Sequence, residues 1–178
     1  MKVRDLTFTA IFAALICVAA PWTVPVGPIP ITLATLAVYL AAAVLGWKKG
    51  TVAVVVYLLL GAVGVPVFSG FSGGFARLIG PTGGYLVGYI PCALLTGLVS
   101  DRFPKPWGYA VGMVLGTVVL YALGTAWFCV QSGSELGHAL AVCVVPFLIG
   151  DAIKIAAAIV LASILRPVLE RMKGTAAA

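Results

Sequence analysis

The run from Ala139 to Leu165 holds only two acidic or basic side chains, Asp151 and Lys154, and is otherwise almost wholly apolar. It exceeds the ~20 residues that a helix needs to cross a bilayer, so it commits the chain to a membrane fold. A charge at the centre of a membrane helix costs roughly 2.5–3.5 kcal/mol on insertion scales, and two such charges need a reason. At a spacing of i, i+3 they share one helical face, about 60° apart around the axis. They can neutralise each other when the site is empty and point at one ligand when it is full.

The remaining sequence supports a membrane fold. Of 178 residues, 62% are hydrophobic and 9% charged, with a mean hydropathy of +1.17. A soluble domain carries roughly a quarter charged residues, so this surface must face the lipid bilayer. The net charge of +6 could suggest nucleic acid. Its Lys and Arg, however, come in small groups between apolar runs with no basic stripe, which reads as topology-setting loop charge and no nucleic-acid partner. Cys17, Cys92, Cys129 and Cys143 lack CxxC or Cys/His ligand spacing and read as small buried hydrophobes, so neither metal nor cofactor is expected.

Apolar segments separated by Gly, Pro and charge predict an all-α membrane protein of one domain, with six helices at about 6–20, 29–45, 51–65, 82–99, 107–130 and 139–165. The second to fourth are short for a full span, which implies tilt or re-entrant backbone. Lys2, Arg4, Lys48, Lys49, Arg102, Lys105, Arg166, Arg171 and Lys173 fall on one set of alternate loops and tails, and the opposite loops hold only Arg77. That bias places both termini in the cytoplasm, as an even number of spans requires. Val18-Ala19-Ala20 resembles a signal-peptide cleavage site, but cleavage would leave five spans and break this agreement.

The external loop at about 66–81 is too apolar for a solvated connector and too Gly-rich for a helix, so it should pack back on the bundle. Its glycines permit close approach to a ligand, and its aromatic residues supply an apolar wall. Gly84 and Gly88, just beyond it, also have the small-xxx-small spacing of simple helix packing. Without Gly-Lys-Ser/Thr, the loop is not a nucleotide P-loop. Pro25-Val-Gly-Pro-Ile-Pro30 leads into the second helix on the same outer face. Two Gly/Pro segments above a charged pair describe a pocket open to the outside, with His138 as an interfacial residue.

No HExxH, GxSxG or paired-carboxylate arrangement is present, and Asp5, Asp101, Glu135 and Glu170 lie at helix ends or in loops. A binding or transport protein therefore fits better than an enzyme. Asp151 and Lys154 could form a structural ion pair, but that pair would still carry its desolvation penalty. Together they suit a small ligand with both hydrogen-bond donors and acceptors.

The segments Pro28-Ile-Pro-Ile-Thr-Leu, Gly64-Val-Pro-Val-Phe-Ser-Gly-Phe-Ser-Gly-Gly, Gly80-Pro-Thr-Gly-Gly-Tyr-Leu-Val-Gly-Tyr and Gly150-Asp-Ala-Ile-Lys resemble the BioY family. These are the biotin-binding S components of energy-coupling-factor (ECF) transporters. The resemblance implies an S-component-like six-helix bundle in the bacterial cytoplasmic membrane, with biotin bound near the outer face. It also implies a membrane T component and two cytoplasmic ATPase subunits as partners. Ligand contacts carried over are Ser72, Gly73, Gly74, Tyr85, Asp151 and Lys154. Ala34 stands where a Gln is expected, Ser72 replaces an Asn of some relatives, and Leu86 replaces a basic residue, which makes Arg77 a candidate substitute. Ala10 and Ala14 in the first helix form the small-residue strip by which S components dock. The rival readings are a self-sufficient secondary transporter with Asp151 as proton relay, a membrane-embedded enzyme, and a structural scaffold.

Overall fold

The structure is a computed structural model describing residues 3–24 and 29–175. Lys2 and the Pro25–Pro28 stretch singled out above lie outside the described residues. In chain order the helices are α1 (Val3–Ala19), α2 (Ala34–Leu45), α3 (Trp47–Ala62), α4 (Phe75–Ile79), α5 (Gly83–Arg102), α6 (Pro106–Ser132), α7 (Leu136–Cys143) and α8 (Val145–Thr175). Two short strands, β1 (Thr23–Val24) and β2 (Ile31–Thr32), pair antiparallel with Thr23 opposite Thr32. By length and composition Gly83–Arg102, Pro106–Ser132 and Val145–Met172 can each cross a membrane.

Packing centres on α2, which touches α1, α3, α5 and α8. Every residue of α2 except Leu36 is buried. Small side chains make this possible: a Cβ on Gly50 of α3 would stand 2.6 Å from the Cα of Ala42. Without a hydrophobic drive between helices in lipid, such close contact supplies the packing energy. Gly46 turns the chain between α2 and α3 in one residue at φ +82, a conformation that strains any residue with a Cβ. Along α5, Gly84 and Gly88 lie against Trp127 and Leu120 of α6. These two glycines serve helix packing.

At 12 residues, α2 is about 18 Å long, well short of a hydrocarbon core of about 30 Å. The sequence predicts a helix from residue 29, but it starts only at Ala34. Pro30 holds its predecessor out of helical geometry. Ile31 and Thr32 instead pair with β1, and the Thr32 Oγ1 accepts the Ala34 N–H at 2.8 Å. The sixth expected segment, 139–165, is also different. It breaks at Val144, because Pro146 has no N–H to continue the ladder from α7 and sits comfortably in the first turn of α8. The third starts earlier, at Trp47, and α8 runs on beyond Leu165.

The loop between α3 and α5 packs on the bundle. Phe68 is 1% exposed, edge-on to Tyr57 with ring centroids 5.5 Å apart. Its ring fills the space a Cβ on Gly61 would occupy. Phe68 and Ser72 exchange backbone hydrogen bonds, and the Gly74 N–H donates to the Gly61 carbonyl at 2.7 Å. The Gly70 N–H reaches the Pro21 carbonyl at 3.1 Å, joining this loop to the segment after α1. Within it lies the short helix α4, where the sequence predicts only loop.

The other end of the bundle gathers the basic residues. Lys49 pairs with Asp5, joining α3 to α1. Arg166 of α8 donates to the carbonyls of Ala43 and Ser100, at 3.0 and 2.9 Å, and to Asp101 at 2.7 Å. Both carbonyls belong to last turns, of α2 and α5, and have no partner in their own helices.

Candidate ligand-binding site

The missing length of α2 leaves a pocket above its N-terminal end. Its floor is Thr35 of α2, Tyr121 of α6, and Asp151 and Lys154 of α8. Walls come from Tyr85, Leu86 and Tyr89 of α5, from Leu120, and from Phe147 at the start of α8. The mouth carries Ser69, Ser72, Arg77 and Thr82, beneath Phe68 on one side and the Ile29–Thr32 stretch on the other.

Asp151 and Lys154 are 3% and 8% exposed, and their side chains meet at 2.8 Å. The ammonium also donates to the Thr35 Oγ1 at 3.0 Å, and that hydroxyl donates onward to the Asp151 Oδ1 at 3.4 Å. Tyr121 donates to the Asp151 Oδ2 at 2.5 Å. Thr35 lies in the first turn of α2, so the carboxylate sits beside the N-terminal turn of that helix. A carboxylate accepts about four hydrogen bonds and an ammonium donates three. Among the described residues three acceptor sites and two donors are used, which leaves one position on each group. The floor therefore offers one acceptor beside one donor.

Asp151 lies six residues beyond Val145, so it is about 9 Å from the start of α8. The pair is thus nearer one surface than its place in the apolar run suggests.

Five of the seven candidate ligand contacts named from the sequence line this pocket: Ser72, Arg77, Tyr85, Asp151 and Lys154. Tyr85 offers it a ring face, since its hydroxyl bonds the Thr125 Oγ1 at 3.1 Å and the Cys143 carbonyl at 3.3 Å. The Ser72 hydroxyl donates to the Ser69 carbonyl at 2.8 Å and keeps acceptor capacity. Gly73 and Gly74 are not among the lining residues. A Cβ on Gly73 would collide with the Val65 carbonyl, and Gly74 adopts φ +99, so both shape the loop that carries Ser72. Leu86 contributes apolar wall. Ala10 and Ala14 are exposed on α1, to one side of the face that buries Thr9, Ala13 and Ile16. His138 is exposed on α7.

Sequence reasoning missed Thr35 and Tyr121. The available signal was a polar stripe at i, i+4, i+8, Thr117-Tyr121-Thr125, in an apolar helix. Thr35 and Tyr39 form a similar step on α2, and the Tyr39 hydroxyl bonds Thr117. Among the described residues no group of three His, Cys, Asp or Glu side chains could hold a metal.

Fold and pocket together define a multi-pass helical membrane protein of the substrate-binding class, with a charged floor under an aromatic and glycine-rich cover. The BioY family model matches residues 1–171. The chain belongs to the BioY family. It is 44% identical to the biotin transporter BioY of Thermotoga maritima over 161 residues, 89% of this chain and 94% of that protein. It is 37% identical to a probable biotin transporter BioY of Pyrococcus horikoshii over 174 residues, 98% of this chain and 99% of that protein. Among solved structures it superposes on an S component for biotin from an ECF-type ABC transporter with a TM-score of 0.87. That match is 30% identical and covers 93% of this chain and 92% of the other.

Proposed function

We propose that this chain captures biotin and passes it to an ECF-type uptake transporter without chemically altering it. The carrying observation is the unsaturated Asp151–Lys154 floor. A ureido ring presents an N–H beside a carbonyl, which matches one free acceptor on Asp151 next to one free donor on Lys154. Tyr85, Tyr89, Leu120 and Phe147 would enclose the bicyclic ring and aliphatic tail. With the ureido edge on the floor, the tail carboxylate faces the mouth, toward Ser72, Thr82 and Arg77.

In this reading α1, α2, α3, α5, α6 and α8 are the six membrane segments, with both termini in the cytoplasm of a bacterial cell and the pocket facing outward. The basic end of the bundle supports that orientation. Exposed Ala10 and Ala14 allow close approach of a membrane T component, which two ATPase subunits would energise. The test is titration of the purified chain with biotin, dethiobiotin and thiamine. Biotin and dethiobiotin share the ureido edge and carboxylate, so both should bind and thiamine should not. Absence of biotin binding would overturn the reading.

A further inference from the structure

The basic end of the bundle carries a second depression, remote from the ligand pocket. It lies between α3 and α5 and is lined by Trp47, Lys48, Lys49, Thr51, Val52, Val55 and Leu94. Trp47 and Val55 are eight residues apart on one helical face, with Lys48 and Val52 beside them at i, i+4. Apart from its lysines and Thr51 the furrow is apolar, and Val52 and the neighbouring Val56 face outward at 40% and 37% exposure.

The two lysines are not equivalent. Lys49 is committed to Asp5. Lys48 is exposed and makes no ion pair among the described residues, and its ammonium stands 5.1 Å from the centroid of the Trp47 ring. An indole and a cation with no carboxylate partner among the described residues, at the head of an outward-facing apolar furrow, are the parts that recognise a lipid at the membrane interface.

We propose that this furrow holds one anionic phospholipid, with an acyl chain along Val52, Val55 and Leu94 and the phosphate on Lys48. From Trp47 to Val55 the furrow follows about 12 Å of helix axis. One leaflet is half of a hydrocarbon core of about 30 Å, so the furrow suits one chain of one leaflet. That length is too short for a spanning helix of a protein partner. The site does not depend on the identity of the ligand in the pocket.

The test uses the full chain in detergent micelles doped with dioleoylphosphatidylglycerol or dioleoylphosphatidylcholine, with retained lipid counted by native mass spectrometry. Wild-type protein should retain one phosphatidylglycerol in preference to phosphatidylcholine. Lys48→Gln, a surface change, should weaken that retention about fivefold, the share of one lysine near an anionic surface. Val55→Trp fills the furrow and should abolish retention, while unchanged thermal unfolding reports that the variant is folded. Equal retention of both lipids by the wild type would overturn the proposal, as would unchanged retention in Lys48→Gln. If Val55→Trp keeps its lipid but no longer assembles with a membrane partner, the furrow is a protein-docking surface and the lipid proposal fails.

Discussion

Replacing Lys154 by Met separates a binding role of the charged pair from a structural one. Methionine keeps most of the length of the side chain but removes two hydrogen bonds, to the Asp151 Oδ1 and the Thr35 Oγ1. Asp151, 3% exposed, is left with Thr35 and Tyr121 as its partners among the described residues. Removing one partner of a buried ion pair costs about 3–5 kcal/mol, so the single variant should unfold well below the wild type. A hydrogen bond to a charged group contributes about 1.5–3 kcal/mol, and at 1.4 kcal/mol per tenfold biotin affinity should fall about 10- to 150-fold. The decisive comparison is the double variant Asp151→Leu/Lys154→Met. Exchange of a buried pair for apolar side chains of similar volume is neutral or stabilising by about 1–4 kcal/mol. Thermal unfolding of the double variant in detergent should therefore return at least to wild type, while calorimetric titration still shows biotin affinity lost. A double variant that regained both would refute the reasoning and leave the pair a structural device.

Other outcomes follow from the same geometry. Tyr121→Phe removes the hydroxyl that orients Asp151 and should weaken biotin about tenfold or more, measured by the same titration; unchanged affinity would remove Tyr121 from the site. Gly61→Val puts a branched side chain where the Phe68 ring sits, so the loop should lift and stopped-flow release of biotin should accelerate. An unchanged release rate would mean that the loop does not cover the ligand. Trp at Ala10 and Ala14, both exposed on α1, should leave biotin binding intact and block co-purification with the T component. Intact co-purification would place the docking surface elsewhere.

The membrane character and the sequence of apolar segments were legible because lipid allows so few alternatives. Helix ends were harder. The start of α2 depends on β2 finding β1 and on Thr32 capping Ala34, two contacts that no local pattern announces. The break at Val144 was readable in principle from Pro146 but is masked by the apolar residues on both sides. Asp151 and Lys154 stood out because charge is costly in this medium. Thr35 and Tyr121 did not, since a hydroxyl in an apolar helix is cheap and can bond within its own helix, as Thr117 does to the Met113 carbonyl. Gly73 and Gly74 illustrate the converse. A glycine signals a constraint on the backbone, and only the three-dimensional neighbours tell whether a ligand or the chain itself imposes it.

The shortness of α2 makes the molecule a cup with a solid base. From the pocket outward, a solute meets the loop between α3 and α5 and the segment around the β1 and β2 strands, which are held to each other by the Gly70 to Pro21 backbone bond rather than by packed helices. Inward lies the full length of α2, sheathed by α1, α3, α5 and α8 and locked at its far end by Arg166 on the Ala43 carbonyl. Thermal motion can open the rim far more readily than it can dissolve the base. A vessel of this shape fills and empties on one side when left alone. Delivery to the other side calls for work done on the whole vessel by something outside it.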